Sequence, residues 1–550
     1  MAKREWNGSA RIWGGILGGA VVLAVLLALA VQNFTAQPAG PAQESSMGSE
    51  SSSLSSGSSS EEESSSQTES GDSSEESSES SSQAEKTDKI TITQSGEYAG
   101  IDPMKQVVIR TGEVTIRDMT ITGDLFIMDE VTGDVTLELD GKNELKGGSY
   151  WSNDERSDSY LSGGHGLHAQ GEGTLTIQDE DKNGSLTAAG GDVETSSLGF
   201  TMNGQWLNGG DGIRAKNLTV SGAELKAEGG NSNVTGTSDV MSGGGAGIQV
   251  DKGTAKLLGG AHITAKGGDG YTDTNKSAQG GGGISISANA EIEGVSISAA
   301  GGSAESKKYA GSGNAMDLYG NYMQYAVSMK DSTLELTGGD AKAEGEGSIG
   351  AALSMMYHKE HTLENLTLTA VEGKAEAPKR SFVGGTFYFN GGTREIGGNS
   401  TINLVGTRTD GVKAKDNTVV NLYVPKDETL KNADSVDNIS TDETGKVNIY
   451  ENATTTKNDD GSITVTGDLV GIKQDGHSYE LTATVEPTCT TPGKRVYTCT
   501  TEGHTDDTYE EIIDALGHHF TAVEVVAPTY TSEGYTIYKC ETCGETEKRE

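Results

Sequence analysis

The chain has 550 residues, of which 33% are apolar, 5% are aromatic and 78 are glycine. That is poor material for a conventional globular core, although a repetitive array needs none. A formal net charge of −40 argues against nucleic acid and anionic membrane surfaces as partners, because both require clustered Lys and Arg.

Residues 13–31 form an uncharged apolar stretch preceded by Lys3, Arg4 and Arg11. The stretch is long enough to span a bilayer as a helix, and its basic flank would stay in the cytoplasm. Residues 1–31 therefore read as a cytoplasmic basic end and signal anchor in the cell membrane, with the chain from Gln32 onward outside the cell. A cleaved signal peptide, cut at Ala28-Leu29-Ala30 to release a secreted protein, is the competing reading. Residues 32–89 follow as a stalk. Its centre, residues 45–82, is rich in Ser and Glu, with Met47 and Leu54 as the only large apolar residues, and is expected to remain disordered and extended.

From residue 90 to residue 424 one phrase repeats: a Gly-Gly pair, a polar excursion, a second glycine cluster and short runs of alternating apolar residues. The pairs are Gly147-Gly148, Gly190-Gly191, Gly229-Gly230, Gly267-Gly268, Gly301-Gly302 and Gly338-Gly339, with Glu372-Gly373 as a degenerate seventh. A period of that length denotes a solenoid, in which each unit buries its apolar face against its neighbours. In the clearest copy, residues 209–230, Ile213, Ala215, Leu218, Val220, Leu225 and Ala227 alternate with polar residues. That is the period of a strand with one buried face. Asn217, Gly222 and the glycine pairs are expected to supply turn conformations closed to β-branched residues. The fold class is therefore all-β: a right-handed parallel β-helix solenoid of three short strands per turn, with an N-terminal transmembrane helix, a disordered stalk and small C-terminal β modules.

Residues 425–484 read as a β connector in which Asp460-Gly461 turns a hairpin. Residues 485–550 hold a second repeat. Residues 487–503 align with 528–544 at an offset of 41, matching Cys499 with Cys540, but setting Cys489 against Tyr530 and Glu502 against Cys543. The segment 510–520 closes the first copy, and the second copy is incomplete at Glu550, as in a fragment or a chain stopping in mid-module.

The phrase GG…GxGI…LTVSGAxLxAxGG, with residues 137–148 (LELDGKNELKGG) and 183–191 (NGSLTAAGG), resembles glycine-rich parallel β-helix (pectin-lyase-like) regions of surface proteins from Gram-positive bacteria, some of them carbohydrate-binding. The tail resembles short CTxPGxxxYTC…ALGH repeats appended to such proteins. Together these likenesses cover most of residues 90–550. They imply a surface-displayed carbohydrate-binding or adhesin-like protein without catalysis, whose partner is a glycan or a component of a host or neighbouring cell surface. A polysaccharide lyase or hydrolase of the same fold is the alternative, and a passive structural spacer the second. Polygalacturonase-like hydrolases of this fold use Asn-x-Asp, Asp-Asp, Gly-His-Gly and Arg-x-Lys elements. Gly164-His165-Gly166 matches one, whereas Asn-x-Asp and Asp-Asp are missing from residues 90–424.

Residues 179–184 copy the first half of a Ca²⁺ loop, but Gly190 stands where a bidentate Glu is needed, so a turn is the better reading. His165 with His168, and His358 with His361, would face opposite sides of a strand and are expected in solvent. Cys489, Cys499, Cys540 and Cys543 lie only in the tail. Outside the cell they are expected as disulfides; a Zn²⁺ site of Cys499, Cys540, Cys543 and His504 or His518 is the alternative. No other cofactor is expected. The excursions are expected to align as loops along one edge of the solenoid. Tyr150, Trp151, Tyr160, Trp206, Tyr271 and Tyr309 would stack there on sugar rings, and Asn203 and Asn208 would bond their hydroxyls. Aromatics folded back as lids over the coil ends are the competing arrangement.

Overall fold

Alternation of apolar and polar residues dictates the coil. Ile213, Ala215, Leu218, Val220, Leu225 and Ala227 are each at most 2% exposed, while the residues between them face outward. The computed structural model describes residues 89–549 apart from 93, 100–105, 110–111, 122–124, 128–132, 149–160, 196–202, 237–238, 382–383, 391, 427–437, 459–460 and 475. The expected membrane segment and almost the whole stalk lie outside the described residues, among which no helix is long and apolar enough to cross a membrane.

A coil of the middle region passes through five short stretches. Ile213–Ser221 is broken by a register shift into two halves, and Glu224–Glu228 follows; these three enclose the main core. The chain leaves through Gly229-Gly230, runs out along Ser232–Val234, returns along Asp239–Gly243 and re-enters through Gly244-Gly245 into Ile248–Leu258. Every stretch pairs in parallel with its counterpart one coil on: Ile213 with Ile248, Leu225 with Ile263, Asn233 with Tyr271, and Ser242 with Ala278. The excursions are therefore not loops. They stack as flat fingers with a thin core of their own, Val193, Leu207, Val234 and Val240 at first and Ala278, Ala304, Ala310, Ala341 and Ala343 further on.

Coils without paired finger strands flank the fingered ones. Lys89–Ile92, Gln106–Ile109 and Leu125–Ile127 stack at one end; Thr401–Val405, Val419–Pro425 and Lys446–Lys457 stack at the other. The sequence puts the end of the solenoid at residue 424, but parallel pairing continues past it. Pro425 closes its strand, where a missing N–H costs little, and Val447 and Ile449 still pack into the main core. Lys446–Lys457 then turns back against Ile463–Gln474 in the expected hairpin, with Gly461 at φ +86. His477–Val485, Gly493–Cys499 and Thr508–Ile513 continue the antiparallel pairing, and Phe520–Val526, Tyr535–Cys540 and Thr546–Arg549 form a separate sheet.

The glycine pairs work differently from the sequence expectation. Gly222 is left-handed at φ +65, yet none of the paired glycines 190–191, 229–230, 267–268 or 301–302 has positive φ. They are small because outgoing and returning chains cross at a waist. A Cβ on Gly191, Gly210, Gly230 or Gly245 would lie less than 3.0 Å from the carbonyl of Gly148, Gly164, Gly191 or Gly210, respectively. Through that waist runs one hydrogen-bond ladder: Gly164 N–H donates to Gly148, Gly191 to Gly164, Gly210 to Gly191, and so on through Gly230, Gly245, Gly268, Gly281, Gly302 and Gly313 to Gly339, every bond 2.8–3.0 Å. Asn217 likewise needs no left-handed backbone. Its amide oxygen accepts from Thr254 N–H at 3.0 Å and its amide nitrogen donates to Glu172 at 3.0 Å, tying the bend of each coil to the next.

Gly230→Ala should therefore cost about 3 kcal/mol or more, because only backbone can move aside. Gly148→Ala, where a Cβ meets nothing within 4 Å, should stabilise by about 0.5 kcal/mol through the unfolded chain. Thermal unfolding of both variants checks the pair; equal effects would contradict the waist.

Candidate functional site

Two outward faces meet beside the waist. On the long-strand sheet, Arg214, Gln249, Ser285, Asp317 and Ser354 stand in register. On the returning-strand sheet, Ser277, Tyr309 and Glu346 form one column, with Gln279, Gly311 and Ser348 forming the next. Between these faces lies a groove of about 300 Å³ whose polar lining includes Gln279, Ser285, Tyr309, Ser312, Asn314 and Asp317. That volume is at the small end of ligand sites, room for about one sugar ring.

Asp317 is the unusual group in the groove. Its Oδ1 is buried and accepts no hydrogen bond. Burial raises its carboxyl above the ordinary carboxylate value, and Ser354 and Asn314 only partly oppose this. Ser312 and Asn314 carry structural bonds instead. Ser312 Oγ donates to Gly339 and accepts from Gly350 N–H, bridging the waist ladder where a glycine is missing, and Asn314 Oδ1 accepts from Ala351 N–H at 2.7 Å.

Two residues along the same strand face stands Tyr319, about 7 Å from Asp317. It meets a projecting turn that inspection of the sequence passes over. Asn321, Tyr322 and Met323 all adopt left-handed backbone, at φ 43, 57 and 68, as does Tyr357 at φ 57. The Tyr322 ring, 75% exposed, stacks on Tyr357 at 5.6 Å, and Tyr319 meets both edge-on. Asn390 Nδ2 donates to the Tyr357 hydroxyl at 2.7 Å and Met323 N–H donates to the Tyr357 carbonyl. Three consecutive non-glycine residues in that region cost about 1–2 kcal/mol each, so the turn holds an aromatic platform at the expense of stability. The signal in the sequence is the aromatic insert 319–325, which interrupts the period of two.

The residues expected to bind glycan are divided by the fold. Tyr150, Trp151 and Tyr160 lie outside the described residues. Trp206 and Asn208 face outward on the returning strand Asn203–Asn208, over Gly243, and Tyr309 lines the groove; Asn203 begins that strand, paired with Asp239. Tyr271 sits on the other sheet of the finger, in register with Asn233 and Glu305. The excursions stack coil on coil along one edge, as expected from the sequence, but as outgoing and returning strands, so these residues fall on the two sheets of the finger.

Other candidates resolve into structure. His165 is buried, its Nδ1 accepting from Asp211 N–H at 2.9 Å, just as Asp211 Oδ1 accepts from Ala246 N–H at 2.7 Å; the Gly-His-Gly thus joins the same capping column as Asn314. His168 and His358 are buried too, His358 Nε2 donating to the Leu318 carbonyl at 2.8 Å. The expectation of solvent-exposed histidines therefore fails for these three: His168 is in register with Arg214 on the outer face of its strand, and His165 and His358 lie just outside strands, yet all three are covered. Asp179 accepts from Asn183 and Gly184 N–H and closes the expected turn.

In the tail all four cysteines are free thiols, against the disulfide expectation. Cys489, His518, Cys540 and Cys543 bring one ligand atom each to within 4.8 Å of the others. Cys499 is elsewhere, 3.7 Å from His477, and His504 packs on that histidine. The cluster is thus a metal-ligand set that differs from the expected one in its first-repeat member, Cys489 standing in place of Cys499, with His518 as the imidazole.

No family model and no curated protein matches the sequence. Among solved structures the chain is similar to the receptor-binding protein of bacteriophage Det7, a podoviral tailspike in a myovirus, at 9% identity and a TM-score of 0.13, over 84% of this chain and 92% of that one. A likeness of that size bears no weight for function.

Asp317 makes stability depend on pH. A carboxyl raised in the folded state binds its proton more tightly there, so its contribution is complete below the ordinary value of 3.8 and is lost as pH climbs through the raised value. Asp317→Asn should unfold at a higher temperature than the parent at neutral pH, and the gap should close below about pH 4. A gap independent of pH would contradict burial of this carboxyl as its origin.

Proposed function

We propose that this chain is a right-handed parallel β-helix displayed on a bacterial surface, tethered by residues 13–31 and lifted by its stalk, and that it captures glycans without cleaving them. The observation that carries this reading is the Tyr322 platform: an exposed ring held over Tyr357 by strained backbone and met edge-on by Tyr319, two residues along the strand from Asp317 of the groove. Strain of this kind clusters at binding and active sites. A passive spacer gains nothing from it.

The chemistry of the groove favours binding over hydrolysis. Glycoside hydrolysis needs two carboxyl groups across the sugar, and Asp317 is the one acid among the described residues of the lining, which include no Lys, Arg or His. A lyase acting on uronates would also need a base and a charge-neutralising group there. The ligand that fits is a neutral glycan of more than one sugar, with one ring in the groove, its hydroxyls toward Gln279, Ser285, Tyr309 and Asp317, and a further ring on Tyr322.

A glycan array probed with the full chain tests this, followed by Tyr322→Ala. Affinity for any captured neutral glycan should fall about tenfold, ~1.4 kcal/mol, with unfolding changed by less than about 0.5 kcal/mol. Undiminished binding in the variant, or release of reducing ends from the bound polysaccharide, would overturn the reading.

A further inference from the structure

The tail repeat extends beyond its cysteines. His477 and His518 share the offset of 41 that relates Cys489 to Tyr530, Cys499 to Cys540 and Glu502 to Cys543. Each module thus has four equivalent positions: 477, 489, 499 and 502 in the first, 518, 530, 540 and 543 in the second. The structure draws the cluster from both. His518, Cys540 and Cys543 come from the second module, and Cys489 comes from the first, reaching across in place of Tyr530, which is fully exposed.

The geometry points to a Zn²⁺ ion bound by Cys489, His518, Cys540 and Cys543, which joins the two modules in series. A tetrahedron with Zn–S bonds of about 2.3 Å has sulfur–sulfur edges of about 3.8 Å and slightly shorter sulfur–nitrogen edges. Cys489 Sγ lies 3.7 Å from Cys540 Sγ, and Cys543 Sγ lies 3.3 Å from His518 Nδ1. A three-thiolate, one-imidazole set suits zinc over oxygen-seeking cations. The surroundings are arranged as for a ligated histidine: His518 turns Nδ1 to the cluster and Nε2 to Glu545 at 3.2 Å, the carboxylate partner that fixes ring and tautomer. Gly544, at φ +79, donates to the Cys540 carbonyl and folds the Cys540-x-x-Cys543 turn. At the junction Leu516 N–H donates to Thr488 at 3.0 Å, setting Cys489 beside His518. The broken repeat follows from this sharing. The first module keeps His477 and Cys499 side by side, but Glu502 replaces its last cysteine and no cysteine precedes residue 489 to complete the set.

Metal content of the purified full chain tests the proposal, with Co²⁺ loaded into chelator-stripped protein as a second readout. One zinc per chain and the intense visible spectrum of tetrahedral Co²⁺–thiolate are expected. Glu545→Gln should weaken zinc about 10–100-fold, Cys489→Ser should weaken it further, and Cys499→Ser should leave it unchanged. Chelation should expose the junction around residues 514–517 to protease while the solenoid unfolds at its former temperature. A chain without zinc that gives no Co²⁺–thiolate spectrum, or a Cys489–Cys540 disulfide, would overturn the site. Full affinity in Cys489→Ser would overturn the sharing between modules.

Discussion

Outgoing and returning chains can cross at the root of each finger only if neither carries a side chain there, and most of the middle of the molecule follows from that crossing. Glycine is costly in conformational entropy, roughly 0.5–1 kcal/mol per residue relative to Ala. Here each one on the ladder donates or accepts a backbone bond, worth about 1 kcal/mol net, in a place where no other residue could come close enough. The waist separates two cores, the broad one of Ile, Leu and Val inside the coil and the thin alanine-rich one inside the finger. It also brings the outer faces of two sheets against each other, and the groove beside Asp317 is the result.

Stacking in parallel register puts equivalent residues one above another, so a strongly acidic chain must avoid columns of like charge. The columns show how. Glu305, Lys342 and Glu376 succeed one another on the outgoing finger sheet, and Glu346 is followed by Lys379 on the returning one. Lys342 reaches Glu305 at 2.8 Å, Lys379 reaches Glu346 at 2.6 Å, and Lys216 pairs with Glu172 at 2.6 Å. Exposed pairs of this kind contribute at most about 1 kcal/mol each; their larger effect is to avoid repulsion at fixed register. Asp192, Asn231 and Asp269 add a further column, each side chain accepting the amide one coil on.

What the sequence reveals is whatever repeats. The alternation around Ile213 and Leu218, the Gly-Gly period and the hairpin at Gly461 are local patterns with a single structural meaning. The role of the paired glycines was hidden, because left-handed backbone and backbone contact both select glycine and a sequence does not distinguish them. Site residues were legible only in part. Tyr309 and Trp206 stand out as aromatics in polar surroundings, but which face they take depends on the excursions being strands. Asp317 looks like any acid between apolar neighbours; its burial arises from a finger that packs across from it. The aromatic turn at Tyr322 and the pairing of Cys489 with His518 are tertiary facts, the second concealed because the choice between Cys489 and Cys499 is made by how the two copies of the repeat pack.

The waist ladder is the central claim, and amide hydrogen exchange at Gly230, Gly245, Gly268 and Gly281 tests it most directly. The account predicts that these amides, each bonded at 2.8–2.9 Å to the glycine before it on the ladder, exchange as slowly as the core strand amides and open only when the coil unfolds. Exchange at the rate of a surface loop, with the core strands still protected, would contradict it.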